Sequence, residues 1–137
     1  MVMEERFYFD TSIWLDFLEK RGKHGEIILR LINKIIEEND IIIYSNLIIK
    51  ELRNLGYFDN EINDIFSIAK QNNLKLVHVN KKQLEEMRAV ALQRGLPKKD
   101  VLHAILARDN EARLITRDYH FQRLKDITIP KLPEEFI

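Results

Sequence analysis

The segment Ile41–Leu52, IIIYSNLIIKEL, changes its periodicity at one residue. Ile41 to Tyr44 is short, apolar and rich in β-branched side chains, which pack well on a pleated surface. Ser45 follows with a hydroxyl of the kind that accepts a hydrogen bond from the N–H groups opening a helix. Asn46 to Asn54 then carries apolar residues at helical spacing, and Gly56 is placed to end the helix. A buried strand passing through a capped turn into a helix is the unit from which parallel sheets are built.

The same alternation extends in both directions. Upstream, Arg6 to Phe9 predicts a buried strand ending at Asp10. Thr11 to Lys20 predicts a helix with Ile13, Trp14, Phe17 and Leu18 on one face. Gly22 breaks it, and His24 to Glu38 predicts a second helix with Ile28, Leu31, Ile32, Ile35 and Ile36 as its stripe. Downstream, Asp59 is placed to cap a helix reaching about Asn72, and Lys75 to Val79 predicts a strand. Asn80 and Gln83 have capping-box spacing for a helix reaching about Arg94. After Gly95 and Pro97, a helix runs from Lys98 to about Glu111. Arg113 to Thr116 predicts a strand, Tyr119 to Leu124 a short helix, and Ile127 to Ile129 a last edge strand stopped by Pro130. Four to five strands alternating with helices predict an α/β fold with a parallel sheet covered on both faces. No repeat, linker or low-complexity tract interrupts the pattern, so residues 1–137 are expected to form a single domain.

Composition excludes several chemistries. The 137 residues include 22 Lys plus Arg and 22 Asp plus Glu, so formal net charge is zero. A nucleic-acid contact would therefore depend on local patches, not on long-range attraction. There are no cysteines, which removes disulfides, thiolate catalysis and zinc–sulfur sites. Met1 to Phe9 has no apolar signal run, and no stretch is apolar and long enough to span a bilayer. The expectation is a cytoplasmic protein with no membrane partner.

Ligand sites in such sheets lie beyond the carboxyl ends of the strands. Asp10 directly follows the first strand, and Asp118 follows the fourth by two residues. Each also has a purely structural reading, as the N-cap of the helix after it. Glu51 is out of place on its helix. At about 100° per residue it falls within the face formed by Leu47, Ile48, Leu52 and Leu55, with Lys50, Arg53 and Asn54 opposite. A carboxylate there is paired, protonated or bound to a cation, because burying it bare is too costly. Asp100 opens a helix apolar nearly all round, through Val101, Leu102, Ala104, Ile105, Leu106 and Ala107. For Asp100 alone, compensation of the helix dipole is sufficient explanation. His103, one turn on, reads by itself as a packing residue. Asp109 points about 180° from Asp100 and is excluded from the site. Carboxylates gathered at one place need a counter-charge, and hard oxygen ligands select Mg²⁺ or Mn²⁺.

The blocks FDTS (Phe9 to Ser12), SNLIIKEL (Ser45 to Leu52), DVLHAILA (Asp100 to Ala107) and LITRDYHF (Leu114 to Phe121) resemble, in order and separation, the four signature blocks of PIN-domain nucleases. The resemblance implies a PIN-like three-layer α/β/α fold. It places the family's metal-binding acids on Asp10, Glu51, Asp100 and Asp118, holding one or two Mg²⁺ or Mn²⁺ ions. It implies hydrolysis of RNA to 3′-hydroxyl and 5′-phosphate ends. The family's small polar residue falls on Thr11 or Ser12, and its threonine before the fourth acid on Thr116. Many members carry a further acid where this chain has His120, so the second metal is left open. His120 is then either a phosphate or water contact or a surface residue beside Phe121. Lys98, Lys99 and Arg117 flank the acids, as RNA-phosphate contacts or as an ordinary charged surface.

A small stand-alone domain of this kind is similar to the VapC type of toxin. That implies a homodimer held inactive by an antitoxin protein. Three other readings compete: a housekeeping endonuclease for ribosomal or transfer RNA, a PIN-like binding module without catalysis, and a phosphate-binding or phospho-accepting domain. The last wants paired acids at one strand end or a glycine-rich loop, and Asp10-Thr11-Ser12 offers neither.

Overall fold

A computed structural model describes residues 4–19, 22–69 and 71–137. Five parallel strands form one sheet: β1 (Arg6–Phe9), β2 (Ile41–Ser45), β3 (Leu74–Val77), β4 (Arg113–Ile115) and β5 (Pro130–Lys131). Their order is β3-β2-β1-β4-β5. Between them run α1 (Thr11–Leu18), α2 (Lys23–Glu37), α3 (Asn46–Asn54), α4 (Asp59–Phe66), α5 (Lys81–Arg94) and α6 (Lys98–Asp109). Three 3₁₀ segments, Gln71–Asn73, Tyr119–Leu124 and Pro133–Phe136, complete the described elements.

The order follows from handedness. The chain steps from β1 to β2 to β3 in one direction, then returns past β1 to β4. Right-handed crossovers place α1 to α4 on one face and α5 with α6 on the other. The α/β three-layer arrangement is thus the one predicted. β1 is buried on both faces, as the middle strand must be: Phe7, Tyr8 and Phe9 are all buried. Phe9 contacts Trp14 of α1 at 5.2 Å between ring centroids, Trp14 contacts Phe66 at 4.9 Å, and Phe66 stacks on Tyr44 at 4.2 Å. Tyr8 points the other way, toward α6. In α6 every residue from Val101 to Ala107 is buried, as its all-round apolar sequence requires.

Several boundaries differ from the sequence expectation. The edge strand is Pro130–Lys131, not Ile127–Ile129. Proline lacks an N–H, but the ladder bond here runs from Thr116 N–H to the Lys131 carbonyl (2.9 Å), so nothing is lost. α4 ends at Phe66 instead of about Asn72, and its predicted span crosses Lys70, outside the described residues. Its start is capped by Glu61, which accepts from Phe58 N–H at 2.9 Å, while Asp59 pairs with Arg53 at 2.7 Å. β3 ends at Val77, and Val79 N–H turns to the Asn46 side chain at 3.0 Å. α1 ends at Leu18, and its predicted last residue, Lys20, lies outside the described residues. Leu55, expected on the apolar face of α3, is 59% exposed at the helix end.

Gly95 closes α5 in a left-handed conformation (φ 63°, ψ 38°), and its N–H bonds the Ala91 carbonyl. An added Cβ would meet nothing within 4 Å, so only the backbone resists it. Gly95→Ala is expected to cost about 1 kcal/mol in urea unfolding. An unchanged midpoint would contradict this.

Candidate active site

The sheet's strand order reverses at β1, whose neighbours are β2 and β4. The crevice beyond such a reversal is where α/β sheets hold ligands. Asp10 leaves β1 into this crevice and Asp118 lies three residues past β4, their chains joined by Asp10 N–H to the Ile115 carbonyl (3.2 Å). Asp10 caps α1, accepting from Ile13 N–H at 3.0 Å, and the same Oδ1 accepts from Ser12 at 2.8 Å. Oδ2 accepts from Thr116 Oγ1 at 2.5 Å. Thr116 Oγ1 in turn accepts from Asp118 N–H at 3.0 Å, so one threonine ties both acids together. Asp118 caps the Tyr119–Leu124 segment through His120 N–H (2.9 Å), and His120 Nδ1 lies 2.8 Å from the same carboxylate oxygen. Both capping readings therefore hold, and they orient these carboxylates.

Glu51 is in α3 with its side chain only 15% exposed, as the helix phase predicts. Thr11 Oγ1 donates to its Oε2 at 2.9 Å, and His103 Nε2 lies 2.7 Å from its Oε1. Asp100, in the first turn of α6, has no hydrogen-bond donor on its carboxylate among the described residues, and it is half-buried.

The electrostatics join the four acids into one cluster. Burial pushes the Asp100 carboxyl above its ordinary value, and the charges of Asp118, Asp10 and Glu51 add to the rise against the pull of His103. Burial also raises Asp10, opposed by the hydrogen bonds from Thr116, Ser12 and Ile13 and by His103. Glu51 goes the other way. Burial would raise it, but His103 and Thr11, with Lys99 nearby, hold it below the usual carboxylate range. Burial thus disfavours the ionised forms of Asp10 and Asp100, while Glu51 is held ionised by its partners.

Arg117, a candidate phosphate contact, is committed elsewhere. Its guanidinium pairs with Glu134 at 2.6 Å and with Asp16 at 3.5 Å, tying the loop before Asp118 to α1 and to the Pro133–Phe136 segment. Lys98 and Lys99 are exposed on the first turn of α6. Asp109 lies away from the acids, accepting from Gln83 and Arg108. The sequence reading missed His103 and Tyr8. By sequence alone His103 reads as packing, yet it bonds Glu51 directly. Its spacing of three from Asp100, on the same helix face, was the available signal.

A divalent cation fits the chemistry of this set. The donors are hard oxygens of like charge, which is what Mg²⁺ or Mn²⁺ would neutralise. Among the described residues no three acidic or histidine side chains converge on one point as a finished cage. Mg²⁺ does not need one, because it keeps several waters and takes one or two carboxylates directly. Asp10, Glu51, Asp100 and Asp118 are the residues that would hold it. No helix among the described residues is long and apolar enough to cross a membrane.

No curated protein matches the chain in sequence. Solved structures do match in fold. VapBC2 from Rickettsia felis, bound to a DNA fragment from its promoter, is 21% identical with a TM-score of 0.66, covering 93% of this chain and 98% of its own. VapBC-1 from nontypeable Haemophilus influenzae is 18% identical with a TM-score of 0.66, covering 94% and 98%. A toxin–antitoxin complex from Klebsiella pneumoniae is 17% identical with a TM-score of 0.58, covering 93% and 97%. The PIN-domain family model matches residues 7–127, from within β1 to beyond Asp118. Nucleases of that family are hydrolases and generally use divalent metal ions. With its sequence matched over that length and its acids gathered at the sheet's switch point, the chain belongs to the PIN-domain family.

Proposed function

We propose that this chain is a metal-dependent endoribonuclease, acting as one domain over residues 1–137, and that it is the toxin of a toxin–antitoxin pair. The observation that carries the nuclease reading is the clustering of Asp10, Glu51, Asp100 and Asp118 at one sheet edge, close enough that the other three charges raise the Asp100 carboxyl. A bound Mg²⁺ or Mn²⁺ would activate water and stabilise charge on the phosphate. The protein's own residues do the positioning. Thr116 and Ser12 fix Asp10, Thr11 holds one oxygen of Glu51, and Asp118 is held at the start of its 3₁₀ turn. Lys98 and Lys99 supply local positive charge for the RNA backbone despite zero net charge.

The toxin reading is supported by the structures this fold matches, which include a toxin–antitoxin complex. It carries with it an antitoxin partner, a homodimer and a cytoplasmic location. The housekeeping-endonuclease reading uses the same chemistry and is separated by expression. A toxin arrests growth and Asp10→Asn relieves the arrest, whereas a processing enzyme leaves growth unchanged.

The nuclease itself is tested on a mixed set of structured and single-stranded RNAs with Mg²⁺, Mn²⁺ or EDTA. Metal-dependent cutting by wild type, lost in Asp10→Asn and Asp100→Asn, is the expected result. Equal cutting by all three proteins would place the activity elsewhere. Thr116→Val is expected to lower cleavage by roughly 10–100-fold with the fold kept, since it frees Asp10 Oδ2 without removing a carboxylate. Cleavage within twofold of wild type would show that the threonine does not orient the acids.

A further inference from the structure

Behind Glu51 lies a chain of buried polar side chains that the four-acid reading does not use. Tyr8 of β1 and Ser45 of β2 are both fully buried, and His103 of α6 is 3% exposed. They meet because Tyr8 pairs with Ile43 across the sheet, which puts Ser45, two residues on, on the same face as Tyr8. That face is the one α6 covers. Tyr8 Oη lies 2.9 Å from Ser45 Oγ and 2.7 Å from His103 Nδ1. His103 Nε2 lies 2.7 Å from Glu51 Oε1. Five elements, β1, β2, α6, α3 and α1, thus converge on one carboxylate, whose other oxygen is held by Thr11.

The direction of these hydrogen bonds follows from the partners. An ionised carboxylate only accepts, so the 2.7 Å contact requires a hydrogen on His103 Nε2. In the neutral ring Nδ1 must then accept, and its partner there is the Tyr8 hydroxyl. Ser45 Oγ accepts from Ile48 N–H at 3.3 Å, which leaves its own hydrogen for Tyr8 Oη. The chain runs Ile48 to Ser45 to Tyr8 to His103 to Glu51, each group donating to the next.

We propose that His103 and Tyr8 are positioning residues for Glu51: the Tyr8 hydroxyl, bonded to Nδ1, steadies the His103 ring with Nε2–H toward Glu51, and His103, opposite Thr11, locks the Glu51 carboxylate for a divalent cation. This rests on the reading of the acids as a cation site. With one donor on each oxygen the carboxylate cannot turn, and each oxygen keeps a second acceptor direction for the ion or its water. Tyr8 and His103 touch neither substrate nor ion. They act through Glu51, as the partners behind metal ligands do.

The test uses the full chain in two measurements. In the metal-free protein, imidazole nitrogen NMR is expected to show hydrogen on His103 Nε2 in wild type and in Tyr8→Phe, with the Nδ1 shift of a hydrogen-bonded acceptor only in wild type. Calorimetry with Mn²⁺ is expected to show affinity falling about 10–100-fold in His103→Leu. His103→Gln, whose amide nitrogen can reach Glu51, should recover most of it. Thermal melts report whether each variant is folded. Should His103→Leu fail to fold, Tyr8→Phe, which deletes one hydroxyl, carries the comparison through weakened Mn²⁺ binding. A wild-type Nε2 without hydrogen overturns the proposal, as does a folded His103→Leu or Tyr8→Phe binding Mn²⁺ like wild type. If wild type binds no Mn²⁺, the cation-site reading falls and the positioning role falls with it. If wild type binds and the His103 variants match it, only the positioning role falls.

Discussion

Asp10→Asn is expected to fold normally and to lose RNA cleavage by on the order of a thousandfold. Electrostatic stabilisation by a metal ion is worth several kcal/mol of barrier, and each 1.36 kcal/mol is tenfold in rate. The fold should survive for a local reason. An asparagine oxygen can still accept from Ile13 N–H and Ser12, so the cap of α1 remains. Its amide nitrogen would face Thr116 Oγ1, which can turn from donor to acceptor. The substitution also removes a buried charge that the site disfavours on its own. Circular dichroism melts should therefore match or exceed wild type while cleavage disappears. A melting temperature well below wild type would mean that the ionised Asp10 holds the fold together, and the activity loss would then say nothing about catalysis.

Asp100→Asn is expected to move stability and activity in opposite directions. Among the described residues Asp100 has no donor on its carboxylate, and burial followed by the Asp118 charge raises it above the ordinary 3.8. Between that value and the raised one, the folded chain binds more protons than the unfolded chain. Stability therefore falls as pH rises through this window and stays lower above it. Asparagine removes the effect. The metal-free variant should melt a few degrees above wild type at neutral pH, and the two should converge below the ordinary aspartate value. Mg²⁺ should then stabilise wild type more than the variant, because an ion that binds only the folded state adds stability in proportion to its affinity. Cleavage should be lost. A variant less stable than wild type at neutral pH would show that Asp100 is already compensated by the protein.

Much of this was legible in the sequence where periodicity decides. The run IIIYS, its cap and the helix after it appear as written, and the alternation of strands with helices is enough to place Asp10 and Asp118 at one edge. Glu51 was legible because helical phase is robust to a boundary error of a few residues. What failed depended on tertiary context. Pro130 reads as a stop, yet it sits in an edge strand where its missing N–H has no consequence. Leu55 reads as core, yet the helix ends there and most of the side chain faces solvent. Tyr8 and Ser45 are far apart in sequence, and only strand register brings the hydroxyls together. Arg117 beside an acid reads as a phosphate contact, and its pairing with Asp16 and Glu134 depends on the turn of the chain between them.

The central claim is that four carboxylates from separate elements form one divalent-cation site. Calorimetric titration of the metal-free chain with Mn²⁺, wild type beside Asp10→Asn, tests it without any knowledge of the RNA. Saturable binding to wild type is expected, stronger at neutral than at acid pH because protons compete at Asp100 and Asp10, and weakened at least about tenfold in the variant. Absence of binding to wild type, or equal binding to both proteins, would contradict it.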